Sequence, residues 1–171
     1  MWLQTKMRLT RSIKHGLAFL LACVLLSGCG FHLKQASYLP PELRALHLSA
    51  DDSKSDLFTV LRKDLVNSQV LINLGSNQKQ LPELHLYRDS LTRQTLSLFK
   101  NGQVAQYELA YSVSYRVTRP GSDPVEKGFE IYRNYQDDPD NALAKAKELD
   151  IILDELRHQA SKRIIRELSQ L

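Results

Sequence analysis

The stretch Thr95-Leu96-Ser97-Leu98-Phe99-Lys100-Asn101-Gly102-Gln103-Val104-Ala105-Gln106-Tyr107-Glu108-Leu109 decides the fold. Asn101-Gly102 is the preferred pair for a two-residue type I′ hairpin turn. After it, Tyr107, Leu109, Tyr111, Val113, Tyr115 and Val117 alternate with Gln106, Glu108, Ala110, Ser112, Ser114 and Arg116, the pattern of a half-buried strand with one wet face. A two-residue turn sets Leu96 opposite Tyr107 and Leu98 opposite Ala105 on the apolar face. It sets Thr95 opposite Glu108 and Ser97 opposite Gln106 on the polar face. Both faces are then consistent, and a slip of one residue would mix them. The same register lays Arg93 and Arg116 on the polar face.

Outward from the hairpin, Thr118-Arg119-Pro120-Gly121-Ser122-Asp123-Pro124 reads as a second turn and residues 125–135 as a further antiparallel strand, with Phe129 and Ile131 two apart. Gln136-Asp137-Asp138-Pro139-Asp140 then breaks the strand and supplies helix-start chemistry. Ala142, Ala146, Leu149, Leu153, Leu156, Ala160, Ile164 and Leu168 keep helical spacing, which predicts one long amphipathic helix laid on the sheet. On the N-terminal side, Leu46 and Leu48 mark a strand over 43–49. Leu57, Leu61 and Leu65, with Phe58, mark a helix over 53–68 that Ser55 or Asp56 caps. Residues 70–72 start a short extended piece and 73–82 read as a loop. The sum is an α+β, two-layer β-α-β-β-β-α chain: a four-stranded mixed sheet with two helices packed on one face and a polar open face. The first strand is expected parallel to the second through a right-handed crossover.

Before this domain, Lys6, Arg8, Arg11 and Lys14 precede an apolar run at 16–26 with no acid among them. The run falls short of the roughly 20 residues that span a bilayer core, and its layout is that of a secretory signal peptide. Its end, Leu26-Ser27-Gly28-Cys29, resembles the lipobox of bacterial lipoproteins. That resemblance implies removal of residues 1–28, an S-diacylglycerol and an N-acyl group on Cys29, and a lipidated tether over 29–41 that ends at Pro40-Pro41. Gly30, rather than Asp, follows the cysteine, which leans towards the outer membrane. Two or more acyl chains make such an anchor stable, at about 0.8 kcal/mol per buried CH₂. Residues 42–171 then form a single domain.

Four of the 23 Lys and Arg residues lie before Cys29 and none of the 19 acids does, so the remainder carries 19 of each sign and no net charge. The basic excess belongs to the leader, which removes the best argument for a nucleic-acid partner. Cys29 is the only cysteine after the leader, and His32, His47, His85 and His158 show no ligand spacing, so neither an internal disulfide nor a metal site is expected. Gly-rich phosphate loops, Gly-x-Ser-x-Gly and His-Glu-x-x-His are absent from the sequence. The paired acids Asp137-Asp138 sit where turn and helix-start roles explain them. No enzyme is expected.

Three groups of residues together resemble one family. Cys29-Gly30-Phe31-His32-Leu33-Lys34 is similar to its mature N-terminus, and Phe99-Lys100-Asn101-Gly102-Gln103-Val104-Ala105-Gln106-Tyr107-Glu108-Leu109 to its central hairpin. Asp138-Pro139-Asp140-Asn141-Ala142-Leu143-Ala144-Lys145 with Glu148, then Ile164-Ile165-Arg166-Glu167-Leu168, is similar to its last helix. The family is the LPS-assembly lipoprotein LptE. The resemblance implies an outer-membrane lipoprotein in a 1:1 complex with the large β-barrel LptD. Its domain would lie on the periplasmic side or inside the barrel lumen as a plug, helping the barrel assemble and contacting lipopolysaccharide. No cofactor beyond the lipid on Cys29 is implied. Lipopolysaccharide presents phosphates, so its contacts are expected at Lys or Arg. Lys100 at the hairpin tip and Lys145 in Ala-Leu-Ala-Lys lie inside the family-like motifs. Arg93 and Arg116 follow from the expected register, with Glu108 diagonally across from Arg93 as a partner. Asn101 and Gly102 are turn residues. The alternatives are a lipoprotein adaptor of another envelope-assembly complex and, further off, a periplasmic hydrolase.

Overall fold

The computed structural model describes residues 39–75 and 80–171. The leader, Cys29 and most of the expected tether lie outside the described residues. Six strands and two α-helices follow a 3-10 turn at Pro41–Leu43: β1 Ala45–Ala50, α1 Asp56–Asn67, β2 Leu71–Asn73, β3 Glu83–Leu86, β4 Ser90–Leu98, β5 Val104–Thr118, β6 Val125–Gln136 and α2 Ala142–Leu168.

The α+β class holds, with two strands more than expected. β2 runs parallel to β1 with Leu46 opposite Ile72, and β3 runs parallel to β1 on its other side with Leu48 opposite Leu84. Segments of three and four residues are too short for periodicity to declare. Their hydrogen bonds to β1 are what keep them extended. β3 and β4 lie end to end along one edge of β5, with Leu84 opposite Val117 and Leu91 opposite Tyr111. β6 runs the length of the other edge, from Gln106/Gln136 to Val117/Val125.

The hairpin differs from the expected two-residue turn. Phe99 N–H donates to the Gln103 carbonyl at 2.8 Å and Gly102 N–H donates to the Phe99 carbonyl at 2.9 Å, so the loop has three residues, 100–102. Gly102 takes φ +84° at the third of them, the left-handed position that a three-residue loop with a G1 bulge requires. The Asn101 side chain accepts from Gln103 N–H at 3.1 Å. Two further irregularities follow, between Thr95 and Ser97 and between Ser97 and Leu98, and they offset each other, so the pairs from Thr95 onward keep the register of the loop. Only Ser97/Gln106 of the four expected pairs is kept. Leu98 faces Val104, Thr95 faces Tyr107, and Arg93 faces Leu109. Residues opposite one another share a face, so the one-residue change carries Arg93 from the open face to the helix-covered face.

The core lies between the sheet and the helices. Leu109, Tyr111, Val113, Tyr115 and Val117 of β5 are buried, as are Leu46 and Leu48 of β1, Leu84 and Leu86 of β3, and Leu57, Leu61 and Leu65 of α1. Ser55 caps α1 by accepting from Phe58 N–H at 3.2 Å. In α2 only the C-terminal half of the expected stripe is core: Leu156, Ala160, Ile164 and Leu168 are buried, Leu149 and Leu153 are half-buried, and Ala142 and Ala146 are exposed. A 27-residue helix is about 40 Å long at 1.5 Å per residue, and it outruns the core it packs on.

Polar contacts fix the helix ends to the sheet. Ser161 Oγ, fully buried, donates to Asp64 Oδ2 of α1 at 2.7 Å. Tyr115 Oη donates to Glu167 Oε2 at 2.7 Å and Arg163 Nε to Glu167 Oε1 at 2.9 Å, while the Arg163 guanidinium lies 4.1 Å from the Phe129 ring centre. Burial pushes the Glu167 carboxyl up, but the Arg163 and Tyr115 bonds and nearby cations outweigh it and hold it below the ordinary 4.5. A carboxyl depressed in the folded state adds stability above its unfolded value and loses it as pH falls through the folded one. Stability measured by urea unfolding is therefore expected to drop as pH falls below about 4.5, and Glu167→Gln to flatten that drop. In the hairpin, Gly102→Ala is expected to cost about 1–2 kcal/mol by the same measurement.

Candidate functional site

The helix-covered face of the sheet continues past the core into the distal half of the hairpin. There two rows of side chains cross three strands. Arg93, Leu109 and Arg133 form one row, and Thr95, Tyr107 and Tyr135 the next. Above them run the first turns of α2, which start at Ala142 after the 3-10 turn Pro139–Asn141. Asp138 accepts from Asp140 N–H at 3.1 Å and from Asn141 Nδ2 at 2.7 Å, so the acid pair of this loop does turn work.

Tyr135 joins sheet to helix. Its hydroxyl donates to the Lys145 carbonyl at 2.9 Å, and the Lys145 ammonium sits 4.7 Å from its ring centre. Lys145 Nζ also donates to Glu148 Oε2 at 2.6 Å. The Glu148 carboxylate raises the Lys145 ammonium above its ordinary value, so the cation persists throughout the physiological range. Arg133 donates to Glu155 Oε2 at 2.8 Å. Arg93 makes no hydrogen bond or ion pair among the described residues. Its charge and that of Lys145 both reach the Tyr135 phenol, where they oppose the upward push of burial. The arrangement sets a guanidinium without a hydrogen-bond partner among the described residues and a lysine held by Glu148 about the Tyr135 ring. A guanidinium offers phosphate a planar fork of donors and an ammonium offers a point charge.

Of the four basic residues, only Arg93 and Arg116 were expected on a common face, and the structure separates them. Arg93 and Lys145 come together at Tyr135. Lys100 stands exposed at the hairpin tip, with no partner among the described residues. Arg116 is on the opposite, open face, across from His85 and Glu126, with its guanidinium 5.9 Å from the Tyr87 ring centre. Placing Arg93 on the polar open face is corrected by the register of the three-residue loop, and Glu108 is not its diagonal neighbour on a shared face. Tyr135 and Tyr107 were not expected as site residues. In sequence Tyr135 reads as the end of a strand, and only its pairing under α2 gives it a second role.

The open face around Arg116 is polar and mostly acidic or neutral. Tyr87 Oη donates to Glu126 Oε1 at 2.8 Å, and Ser112 Oγ to Glu130 Oε1 at 2.9 Å. Ser49 Oγ donates to Glu83 Oε1 at 2.8 Å and lies 2.8 Å from His85 Nδ1, while His85 Nε2 lies 3.1 Å from Asp51 Oδ1. The serine proton is thus given to Glu83, which leaves the hydroxyl an acceptor towards His85 rather than a nucleophile activated by it. Among the described residues no group of three or more His, Cys, Asp or Glu side chains is placed to hold a metal ion.

This two-layer fold is one that solved bacterial lipoproteins share. The rare lipoprotein B from Shewanella oneidensis superposes with a TM-score of 0.67 at 37% identity, over 74% of this chain and 94% of that one. The class is thus an α+β domain of the bacterial-lipoprotein kind. The model of the family described as "LptE: Lipopolysaccharide-assembly" matches residues 43–168. The LPS-assembly lipoprotein LptE of Pectobacterium atrosepticum is 34% identical over 148 residues, covering 86% of this chain and 80% of that protein. That of Yersinia enterocolitica is 36% identical over 148 residues, covering 86% and 72%. The chain belongs to the LptE family.

The Lys145–Tyr135 contact has a spectroscopic consequence. Burial raises the Tyr135 phenol and the Lys145 cation opposes the rise. Titration of Tyr135, followed by its ring carbon resonance, is expected to have its midpoint above 10, and Lys145→Ala to move it higher still. A midpoint unmoved by that substitution would contradict the contact.

Proposed function

We propose that this protein is an outer-membrane lipoprotein, anchored by lipid on Cys29, that binds lipopolysaccharide and pairs 1:1 with an LptD-like β-barrel as its plug and assembly partner. Family membership over 43–168 is the observation that carries the reading. The surface agrees with it. The lumen of an outer-membrane barrel is polar, and the open sheet face here is lined by Ser, Gln, Asn and Glu side chains with Arg116. No helix among the described residues is long and apolar enough to cross a membrane, so in this reading attachment falls to the lipid.

In this reading the phosphates of lipopolysaccharide sit at Arg93 and Lys145. The Arg93 guanidinium, without a partner among the described residues, gives bidentate donors, and the lysine exchanges part of its bond to Glu148 for a more highly charged anion. Lys100 lies further out on the same hairpin and supplies a peripheral cation. Arg116, on the other face, belongs to the partner-facing surface.

Two measurements test this. Binding of purified full chain to lipopolysaccharide should fall about tenfold or more in Arg93→Asp with Lys145→Asp, since each charge-assisted contact contributes about 1.5–3 kcal/mol. Lys100→Asp with Arg116→Asp should change it less than about threefold, as expected of exposed charges. Equal binding by both double variants and the parent would sink the site assignment. For the partnership, mild-detergent capture through a C-terminal tag should bring one large β-barrel at equal stoichiometry, resistant to salt. Capture of several other lipoproteins in its place would favour an adaptor of another envelope complex.

A further inference from the structure

Strand β6 is long, regular and open along one side. Its pairing with β5 runs from residue 125 to 136 without a register shift, and it contains no proline. Among the described residues no strand pairs with its outer edge. The phase of its ladder is set by Asp137 N–H, which donates to the Ala105 carbonyl at 3.0 Å. In an antiparallel pair only every second residue bonds across the ladder. Odd-numbered β6 residues therefore bond to β5, and Glu126, Gly128, Glu130, Tyr132, Asn134 and Gln136 turn their N–H and C=O groups outward. On the far side of β5 the phase is the complementary one, since Tyr87 N–H bonds to the carbonyl of even-numbered Ser114 at 3.1 Å.

Exposed edges of this kind are ordinarily blunted by bulges, proline, shortness or charged side chains. The other edges here follow that rule: β2 has three residues and β4 is bulged near Leu96. β6 has neither bulge, proline nor shortness, its protection being the charges of Glu126, Lys127, Glu130 and Arg133 alone, and a cleft lies against it. An opening of about 530 Å³ is lined by Arg133 and Asn134 of β6 and by Ala144, Lys147, Glu148, Ile151 and Ile152 of α2, with Glu148 turned to Lys145. Adjacent β6 residues point to opposite faces, so a cleft that touches both Arg133 and Asn134 wraps the strand's edge. Ile151 is 63% exposed. Lys147 has no partner among the described residues, whereas Arg133 is held by Glu155.

We propose that β6 and this cleft receive an extended segment of another polypeptide as an added strand. Its backbone would bond to the even-numbered β6 residues. Its side chains on the helix side, two residues apart, would be apolar and rest on Ala144, Ile151 and Ile152, with a carboxylate in reach of Lys147. A second copy of this chain does not fit the role. The helix-side residues of its β6 are already engaged, with Phe129 buried beneath Arg163 and Tyr135 bonded to the Lys145 carbonyl. An acyl chain would use the apolar cleft and leave six backbone donors and six acceptors unused.

The test uses the lipidated full chain in its native membranes. A photoreactive residue is placed singly at Glu130, Tyr132 and Asn134, and adducts are mapped by mass spectrometry. The expected result is adducts on one other polypeptide that step two residues along a contiguous segment as the probe steps two. Asn134→Pro removes an outward N–H without touching the β5 ladder, and Ile151→Asp puts a charge in the cleft. Each is expected to reduce the adducts at least tenfold while the circular dichroism stays that of the parent. Adducts on lipid, on a second copy, on residues 1–38 of the same chain, at scattered places or nowhere would overturn the proposal, as would insensitivity to both substitutions. Failure here leaves lipopolysaccharide binding at Arg93 and Lys145 untouched, because that is measured on the purified protein.

Discussion

The alternation of β5 is the constraint on which the rest of the molecule depends. Over fifteen residues its odd-numbered side chains are the floor for the helices, and its even-numbered ones form the open face. Its backbone bonds to β3 and β4 on one edge and to β6 on the other. Each buried leucine or tyrosine on the floor contributes about 1.5–3 kcal/mol, and a one-residue slip would exchange that floor for serine, glutamate and arginine. The short strands β2 and β3 exist because β1 and β5 supply bonding partners for them, not because three or four residues hold themselves extended.

Polar contacts then decide where the helices stop on that floor. Ser161 to Asp64 joins α2 to α1, and the Tyr115–Glu167–Arg163 set joins its last turns to β5. At the other end Tyr135 reaches the Lys145 carbonyl. Between these ties the apolar stripe of α2 leaves the core, and Leu143 and Ile151 face outward. The long helix thus serves two purposes along its length. Its C-terminal half closes the core, and its N-terminal half roofs a basic and aromatic patch beyond the core.

That patch depends on the irregular backbone of the hairpin. The three-residue loop moves β4 by one residue against β5, and the extra residue at Leu96 on β4 is offset by one at Ala105 on β5, so the pairs beyond keep the loop's register. A shift of that size leaves the strands paired and the alternation of β5 intact. Its effect falls on β4, where Arg93 changes face and comes within electrostatic reach of Tyr135, the residue that Lys145 also contacts. Arg116 stays where alternation on β5 puts it, because no irregularity intervenes between it and the core.

The sequence by itself determined the α+β class, a hairpin placed around Asn101-Gly102 though not the length of its loop, the extent of β6 and α2, and the cap at Ser55. These are local matters of period, turn chemistry and capping, which neighbouring residues settle among themselves. Family membership was legible as well, because the hairpin and last-helix motifs are contiguous in sequence. The tertiary structure alone decided the pairing of β2, the presence of β3, the face of Arg93, the end of the core along α2, and the meeting of Arg93 and Lys145 at Tyr135. Each of these rests on contacts between residues far apart in the chain, or on a bulge whose backbone geometry no side-chain pattern encodes. A strand's period of two makes the second kind decisive, since one extra residue is enough to turn a side chain from one face of the sheet to the other.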